Sequence, residues 1–255
     1  MDKPRLPGNP STSDNWVSLR RFTAARIALG HAGSGLPTTA HLAFQLAHAR
    51  ARDAVHTPLD AAMLAAALIA GGYETLEVES AARDRAIYLA RPDLGRKLSE
   101  NSQALLSLPR VAPDIVIAVV DGLSSTAVAA NAVPAIEALV PLLKKNGHGI
   151  GPVIVATQGR VAIGDHIGEL MQAKVAVVLI GERPGLSAFD SLGMYITWMP
   201  RIGRVDAERN CISNVRVGGL APADAAAQAA CLIEGMFRFR TAGVDLSTRL
   251  ALPGT

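Results

Sequence analysis

The sequence predicts an α/β protein in which a helical N-terminal region precedes a Rossmann-like domain built on a parallel sheet. Before residue 110 the chain is rich in alanine and carries apolar residues at helical spacing. After residue 110, short β-branched runs alternate with segments long enough to form helices, which is typical of a parallel sheet. We therefore divide the chain into a loose polar tail (1–13), a mainly helical region (14–110) and a Rossmann-like α/β domain (111–255).

The N-terminal region is predicted to contain two helices. In the segment TTAHLAFQLAHARARDAVH, residues 38–56, Leu42, Leu46 and Ala49 recur at helical spacing after a threonine that can cap the helix. The segment LDAAMLAAALIAGG, residues 59–72, is equally rich in alanine. Both segments favour helix over strand, because they lack β-branched runs.

Four strands are predicted after residue 110. Three are apolar runs rich in β-branched residues: DIVIAVV (114–120), GPVIVAT (151–157) and KVAVVLIG (174–181). The segment GMYITWMP (193–200) offers a fourth. The long connections between the first three predict that these strands lie parallel, since parallel neighbours need a crossover.

Three helices are predicted in the same region. The first has Ser124 or Ser125 as its cap and a kink or restart at Pro134. The last has Pro222 in its first turn and Gly243 past its end. The predicted helices cover residues 124–145, 161–173 and 222–243.

Composition excludes several classes of function. The chain has 25 Lys and Arg against 22 Asp and Glu, and a net charge of +3 with scattered basic residues is too weak to predict nucleic-acid binding. Its two cysteines, Cys211 and Cys231, match neither a metal spacing nor a disulfide framework, which favours a reducing cytoplasm. The polar, proline-rich start of the chain and the absence of a long apolar run predict no membrane insertion.

A ligand site is expected where the predicted strands end. In open α/β sheets the loops at the carboxyl ends of the strands converge around a crevice. Those loops begin at DGLSS (121–125), TQGRV (157–161) and GERPGLS (181–187). In the third, Glu182 and Arg183 stand either at the mouth of a site or in a turn where both charges are solvated.

Asp121 is the one carboxylate of these loops to which the sequence assigns no definite role. It either serves the site or caps the amides of Ser124 and Ser125 at the start of the following helix. Both alternatives suit an aspartate that directly follows a buried strand.

Familiar catalytic motifs are absent from the sequence. GHAGSG (30–35) has the wrong glycine spacing for dinucleotide binding, and no G-x-S-x-G, P-loop or H-E-x-x-H motif occurs. GDHIGE (164–169) lacks the D-x-H-x-x-G spacing of proteins that bind cobalamin through a histidine. Because Asp165 and His166 are adjacent on a predicted helix, their side chains diverge and His166 is a poor metal ligand. Hydrolase, NTPase and metalloprotease functions therefore lack their chemistry here, and the sequence offers no metal ligand.

Several sequence blocks together resemble the small subunit of ethanolamine ammonia-lyase, over roughly residues 14–245. They follow the order and spacing of that family and cover both halves of the chain, so the resemblance is far more specific than any single motif. The blocks are ARIALGHAGSGLPT, FQLAHARARDAVH, RPDLGRKL, DGLSS, GRVAIGDHIGE, GERPGLS and RNCISNVR.

The resemblance implies an adenosylcobalamin-dependent lyase that converts ethanolamine to acetaldehyde and ammonia. In that family the large subunit holds the substrate and the upper face of the corrin ring. The small subunit covers the lower face and the nucleotide tail. The partner implied for this chain is therefore the large subunit. The resemblance also implies that this chain carries no catalytic residue, which agrees with the absence of catalytic motifs noted above.

The family's cofactor contacts fall on Val161, Glu182 and Cys211 of this sequence. Val161 is expected to pack on a flat surface of the cofactor, Glu182 to accept a hydrogen bond from one of its amides or hydroxyls, and Cys211 to form a compact wall. The alternative for Cys211 is simple burial as a small apolar residue.

The expected localisation is the cytoplasm, with a bacterial microcompartment as the alternative. Encapsulated members of the family carry a longer N-terminal extension, whereas only a short polar segment precedes Asn15 here. The competing function is a free-standing α/β enzyme that uses a nucleotide cofactor. It would require a phosphate-binding loop that the sequence does not contain.

Overall fold

The computed structural model describes residues 11–12, 14–107 and 111–251. Most of the predicted polar tail, residues 1–10 and 13, lies outside these ranges. Ser11–Thr12 (β1) pairs antiparallel with His31–Ala32 (β2) and forms a small sheet of its own.

A six-stranded sheet lies at the centre of the molecule and confirms the predicted α/β class. In spatial order the first four strands run parallel to one another. The fifth strand is antiparallel to the fourth, and the sixth is antiparallel to the fifth. In that order the strands are Thr75–Glu79 (β3), Ile150–Thr157 (β5), Ile115–Val120 (β4), Val175–Gly181 (β6), Leu192–Trp198 (β7) and Arg209–Val215 (β8).

The predicted strands all form, but one runs in the opposite direction. β4, β5 and β6 begin and end within one residue of their predicted bounds. The fourth predicted strand is β7, and it lies antiparallel to β6 because the connection over residues 182–191 contains no helix and is too short for a crossover. β3 and β8 were not predicted, and β3 joins the N-terminal region to the sheet through its pairing with β5.

Helices cover both faces of the sheet. The Ser124 hydroxyl accepts the N–H of Ala127 at 3.1 Å and caps the helix Ser125–Lys145 (α5). This helix continues through Pro134 without the predicted restart. Gly243 lies past the end of the helix Pro222–Phe239 (α7) as predicted, but it also begins a further helix that was not predicted. The helices are Thr38–His56 (α1), Ala61–Ala70 (α2), Arg85–Ala90 (α3), Glu100–Leu106 (α4), Ser125–Lys145 (α5), Ile163–Leu170 (α6), Pro222–Phe239 (α7) and Gly243–Ala251 (α8).

The apolar core is divided by the sheet into two parts. On one face α2, α5, α7 and α8 pack against the sheet, and on the other face α4 and α6 do so. α5 is long and apolar enough to span a membrane, as is the bent pair of α1 and α2 taken together. Half of the most apolar part of α5 is buried inside the fold, however, as in the core helix of a soluble protein.

Candidate functional site

The three loops singled out by the sequence meet at one edge of the sheet. The loop after β4 leads into α5 on one face, and the loop after β5 leads into α6 on the other, so that a crevice opens between them. A cleft of about 390 Å³ lies there. It is lined by Tyr88, Gly122, Leu123, Arg160, Val161, Ile180, Gly181, Glu182, Arg183 and Tyr195.

Glu182 is half-buried and held in place by three donors. Its carboxylate accepts hydrogen bonds from the Ser191 hydroxyl at 2.5 Å, the Ser213 hydroxyl at 2.6 Å and the Asn214 N–H at 3.3 Å. An ionised carboxylate offers about four acceptor positions, so capacity for one further donor remains. The solvated-turn alternative is therefore wrong for Glu182, while Arg183 beside it is exposed.

Gly193 is what allows the Glu182 side chain to lie against the sheet. A Cβ atom at that position would come within 3.0 Å of Oε1 and 3.2 Å of Cγ of Glu182. Because β7 carries a glycine there, the carboxylate reaches the hydroxyls of Ser191 and Ser213 at the ends of two strands. Its orientation is thus set by the sheet rather than by the loop alone.

Cys211 does not line this cleft, but it lies one side chain away from it. Cys211 on β8 is directly opposite Tyr195 on β7, and Tyr195 lines the cleft. Burial raises the pKa of Tyr195. Cys211 is exposed and borders a separate depression between β8 and α8, so simple burial is wrong for this residue.

Val161 lines the same cleft as Glu182, at the start of the turn that leads into α6. Its side chain packs against the apolar core between α6 and the sheet, yet remains half-exposed toward the cleft. The structure therefore brings Val161 and Glu182 together, as the convergence of strand ends predicted.

Tyr88 and Arg160 form the floor of the cleft, with Arg85 packed against the Tyr88 ring, and none of the three was identified from the sequence. The guanidinium carbons of Arg160 and Arg85 lie 4.2 and 4.6 Å from the centre of the Tyr88 ring. Burial raises the pKa of Tyr88 to about 12, although both guanidiniums act in the opposite direction. Arg160 could have been found from the sequence, because it directly precedes Val161 in the GRV block. Nothing in the sequence around Tyr88 distinguishes that residue from an ordinary core residue.

Asp121 is a structural link between two of the three loops. Its buried carboxylate accepts the N–H groups of Gly122 at 2.9 Å, Gln158 at 2.9 Å and Gly159 at 3.0 Å, and Arg85 lies 3.4 Å away. It therefore does not cap the amides of Ser124 and Ser125. Instead it fixes the loop after β4 to the loop after β5, which positions the wall of the cleft.

Asp165 and His166 face different parts of the molecule. The Asp165 carboxylate accepts two hydrogen bonds from Arg209, at 2.5 and 2.6 Å. The Nδ1 atom of His166 accepts the N–H of Leu98 at 3.2 Å instead. The expected divergence is confirmed, and within the described ranges no group of three or more His, Cys, Asp or Glu side chains could hold a metal ion.

A second cleft, of about 440 Å³, borders the Asp165–Arg209 pair. Its lining includes Arg96 and Arg204 but no residue at the carboxyl end of β4 or β6. Arg204 is already paired with Glu208, as Arg209 is with Asp165. This second cleft lacks the features that the sequence predicted for a ligand site.

Comparison with known proteins gives one consistent family. The family model described as "Ethanolamine ammonia-lyase light chain (EutC)" matches residues 13–247. A protein of Azotobacter vinelandii named "Ethanolamine ammonia-lyase small subunit" is 50% identical over 242 residues, which cover 93% of this chain and 90% of that protein. Proteins of the same name from Xanthomonas campestris pv. campestris (strain ATCC 33913) and Pseudomonas fluorescens (strain Pf0-1) are 48% and 50% identical, and these matches cover 94% and 96% of this chain and 90% of each relative.

Proposed function

Because the chain belongs to the ethanolamine ammonia-lyase light-chain family, we propose that it is the small subunit of an adenosylcobalamin-dependent enzyme that converts ethanolamine to acetaldehyde and ammonia. The name "small subunit" in its relatives supports a large subunit as partner. The large subunit holds the substrate, and this chain covers the lower face and the nucleotide tail of the cofactor. The enzyme acts in the cytoplasm, with a microcompartment as the alternative.

The observation that carries this proposal is the meeting of Val161 and Glu182 in one cleft at the carboxyl edge of the sheet. Pockets for small ligands measure roughly 300 to 1,000 Å³. A cleft of about 390 Å³ therefore suits the nucleotide tail, but it is too small to enclose a whole corrinoid. The ring remains outside the cleft, where a second subunit can cover its other face.

The residues of the cleft fit such a ligand chemically. Val161, Leu123 and Ile180 offer apolar contact surface for an aromatic base or a corrin edge. Glu182 has room for one more donor, such as a cofactor amide or hydroxyl. Arg160 lines the same cleft and adds a positive charge, which suits a polar or anionic ligand at this place.

When bound, the cofactor supplies the cobalt–carbon bond whose cleavage starts the radical reaction, and the protein supplies binding and orientation. Val161 and Glu182 hold the tail from two sides, and Asp121 fixes the loop that carries Val161 to the loop after β4. Cys211 acts through Tyr195, which lies opposite it on β7 and lines the cleft. We assign no catalytic residue to this chain, which favours the subunit over a free-standing nucleotide-dependent enzyme.

Reconstitution tests the proposal. The purified chain, the large subunit and their complex are each incubated with adenosylcobalamin and ethanolamine, and acetaldehyde release is followed. We expect turnover by the complex alone. Steady acetaldehyde release by this chain without the large subunit, or no corrinoid binding by the complex, would show the proposal to be wrong.

A further inference from the structure

Arg160 is a half-buried cation at the floor of the cleft that has no carboxylate partner within the described part of the chain. The neighbouring Arg85 is paired with Asp121 at 3.4 Å, and it also donates to the carbonyl oxygens of Gly122 and Val55. Glu182, the carboxylate that lines the cleft, is occupied by two hydroxyls and one N–H. The positive charge of Arg160 is thus left without a counterion.

The Arg160 side chain is nevertheless held firmly. Its guanidinium lies over the Tyr88 ring at 4.2 Å, and Nη2 donates to the Tyr88 carbonyl oxygen at 3.1 Å. Its backbone N–H donates to Gly95 at 2.8 Å, and a Cβ atom at Gly95 would come within 2.9 Å of Cγ of Arg160. Nε is closed off from solvent, so a ligand in the cleft would meet the terminal nitrogens of the guanidinium. The group is therefore fixed in one place beside the cleft.

We infer that Arg160 binds the phosphodiester of the cofactor's nucleotide tail. This inference rests on the proposed function, in which that tail enters the cleft. The peripheral side chains of a corrinoid are neutral amides, whereas the phosphodiester carries a negative charge. A guanidinium presents planar donors that match phosphate oxygens, and a charge-assisted pair of this kind is stronger than a hydrogen bond between neutral groups.

Arg183 is the other arginine of the cleft and provides a matched control. It is exposed at the mouth, so water already solvates its charge. An exposed pair contributes little binding free energy, whereas a partly desolvated one contributes more. We therefore expect recognition of the phosphate to depend on Arg160 and not on Arg183.

The test uses two probes that differ by the phosphate, cobinamide and cobinamide phosphate. Their affinities for the complex of this chain with the large subunit are measured by equilibrium dialysis, with the corrin absorption as readout. The unaltered complex is expected to bind cobinamide phosphate at least about tenfold more tightly than cobinamide, because a hydrogen bond to a charged group typically contributes that much to affinity. In Arg160→Gln this preference falls to near unity while cobinamide affinity is kept, and Arg183→Gln retains the preference. Arg160→Lys, which keeps the charge but loses the planar fork, is expected to lie between the two.

The possible failures are distinguishable. If Arg160→Gln weakens both probes equally, or if Arg183→Gln removes the preference, the inference is wrong while the proposed function stands. If the unaltered complex binds neither probe nor cobalamin, the proposed function fails and this inference fails with it. Far-ultraviolet circular dichroism and the Tm of each variant complex show whether the fold is retained.

Discussion

The Ser213 hydroxyl at the end of β8 donates a 2.6 Å hydrogen bond to Oε1 of Glu182, which follows β6. These two strands are not neighbours, since β7 lies between them. The bond spans β7 at Gly193, where the missing side chain leaves room for the carboxylate. Glu182 is therefore oriented by the sheet before any ligand arrives, which reduces the entropy lost when a ligand binds.

Replacing Glu182 with glutamine should weaken cofactor binding. The substitution keeps the shape but replaces one of the two acceptor oxygens with an N–H donor, so that fewer acceptor positions remain for the protein donors and for a cofactor amide. We expect the affinity of the reconstituted complex for cobalamin to fall by about 1–3 kcal/mol, the usual cost of a buried group left unpaired. Ser213→Ala is the control, because it removes one bond and leaves the carboxylate intact, and its effect should be smaller. An unchanged cobalamin Kd in Glu182→Gln would contradict a direct contact.

Asp121→Asn should destabilise the whole fold. Asparagine cannot neutralise Arg85, and its NH2 group would meet an N–H donor in either orientation, that of Gln158 at the Oδ2 position or those of Gly122 and Gly159 at the Oδ1 position. Breaking a buried ion pair by removing one partner typically costs about 3–5 kcal/mol. Urea denaturation should show this loss in the free energy of unfolding, whereas Asp93→Asn, in an exposed pair with Arg91, should change it little. Equal stability of the two variants would mean that Asp121 does not link the loops.

The stability of the chain should decline in mild acid because of His166. Burial lowers the pKa of His166 below its ordinary value of 6.5. The charge of Glu169 acts in the opposite direction, and that of Lys97 lowers this pKa further. The unfolded state therefore binds the proton more readily, and stability is lost as the pH falls below about 6.5 toward the lower pKa of the folded state. His166→Gln should flatten this part of the pH profile. A profile that keeps its slope in His166→Gln would assign the effect to other groups.

His166 is not expected to bind cobalt in the holoenzyme. Its Nδ1 accepts the Leu98 N–H, and Asp165 is bound to Arg209 and does not orient the ring. The dimethylbenzimidazole of the cofactor should stay on the metal, and His166→Gln should keep most of the activity. Labelling histidine with nitrogen-15 and recording the electron paramagnetic resonance of the cob(II)alamin state checks this. A changed nitrogen splitting would place a protein histidine on the metal.

The parallel part of the sheet could be predicted from the sequence because it is buried on both faces. β4 and β6 are uninterrupted apolar runs, which such strands require. β3 and β8 escaped prediction because they lie at the edges of the sheet and carry polar residues, as in TLEVE and RNCISNV. The direction of β7 is set by the connection from β6, which is too short for a crossover. The pattern of apolar residues within a strand does not indicate the direction of that strand.

The candidate site was predictable where it depends on strand ends and not where it depends on distant segments. Val161 follows β5 and Glu182 follows β6, the two parallel strands on either side of β4, so their convergence follows from topology. Tyr88 reaches the cleft from α3, far away in sequence, and its contact with Arg160 is a product of tertiary packing. The role of Asp121 likewise required the positions of the Gln158 and Gly159 amides, which no local pattern reveals.

The most direct test of the account is a cryo-electron microscopy map of the complex of this chain and its large subunit with cyanocobalamin. We predict density for the nucleotide tail in the cleft, in contact with Val161 and Glu182 on its two sides, and the corrin ring at its mouth against the large subunit. Density for the tail in the second cleft beside Arg96 and Arg204, or entirely within the large subunit, would contradict the assignment of this cleft as the cofactor site.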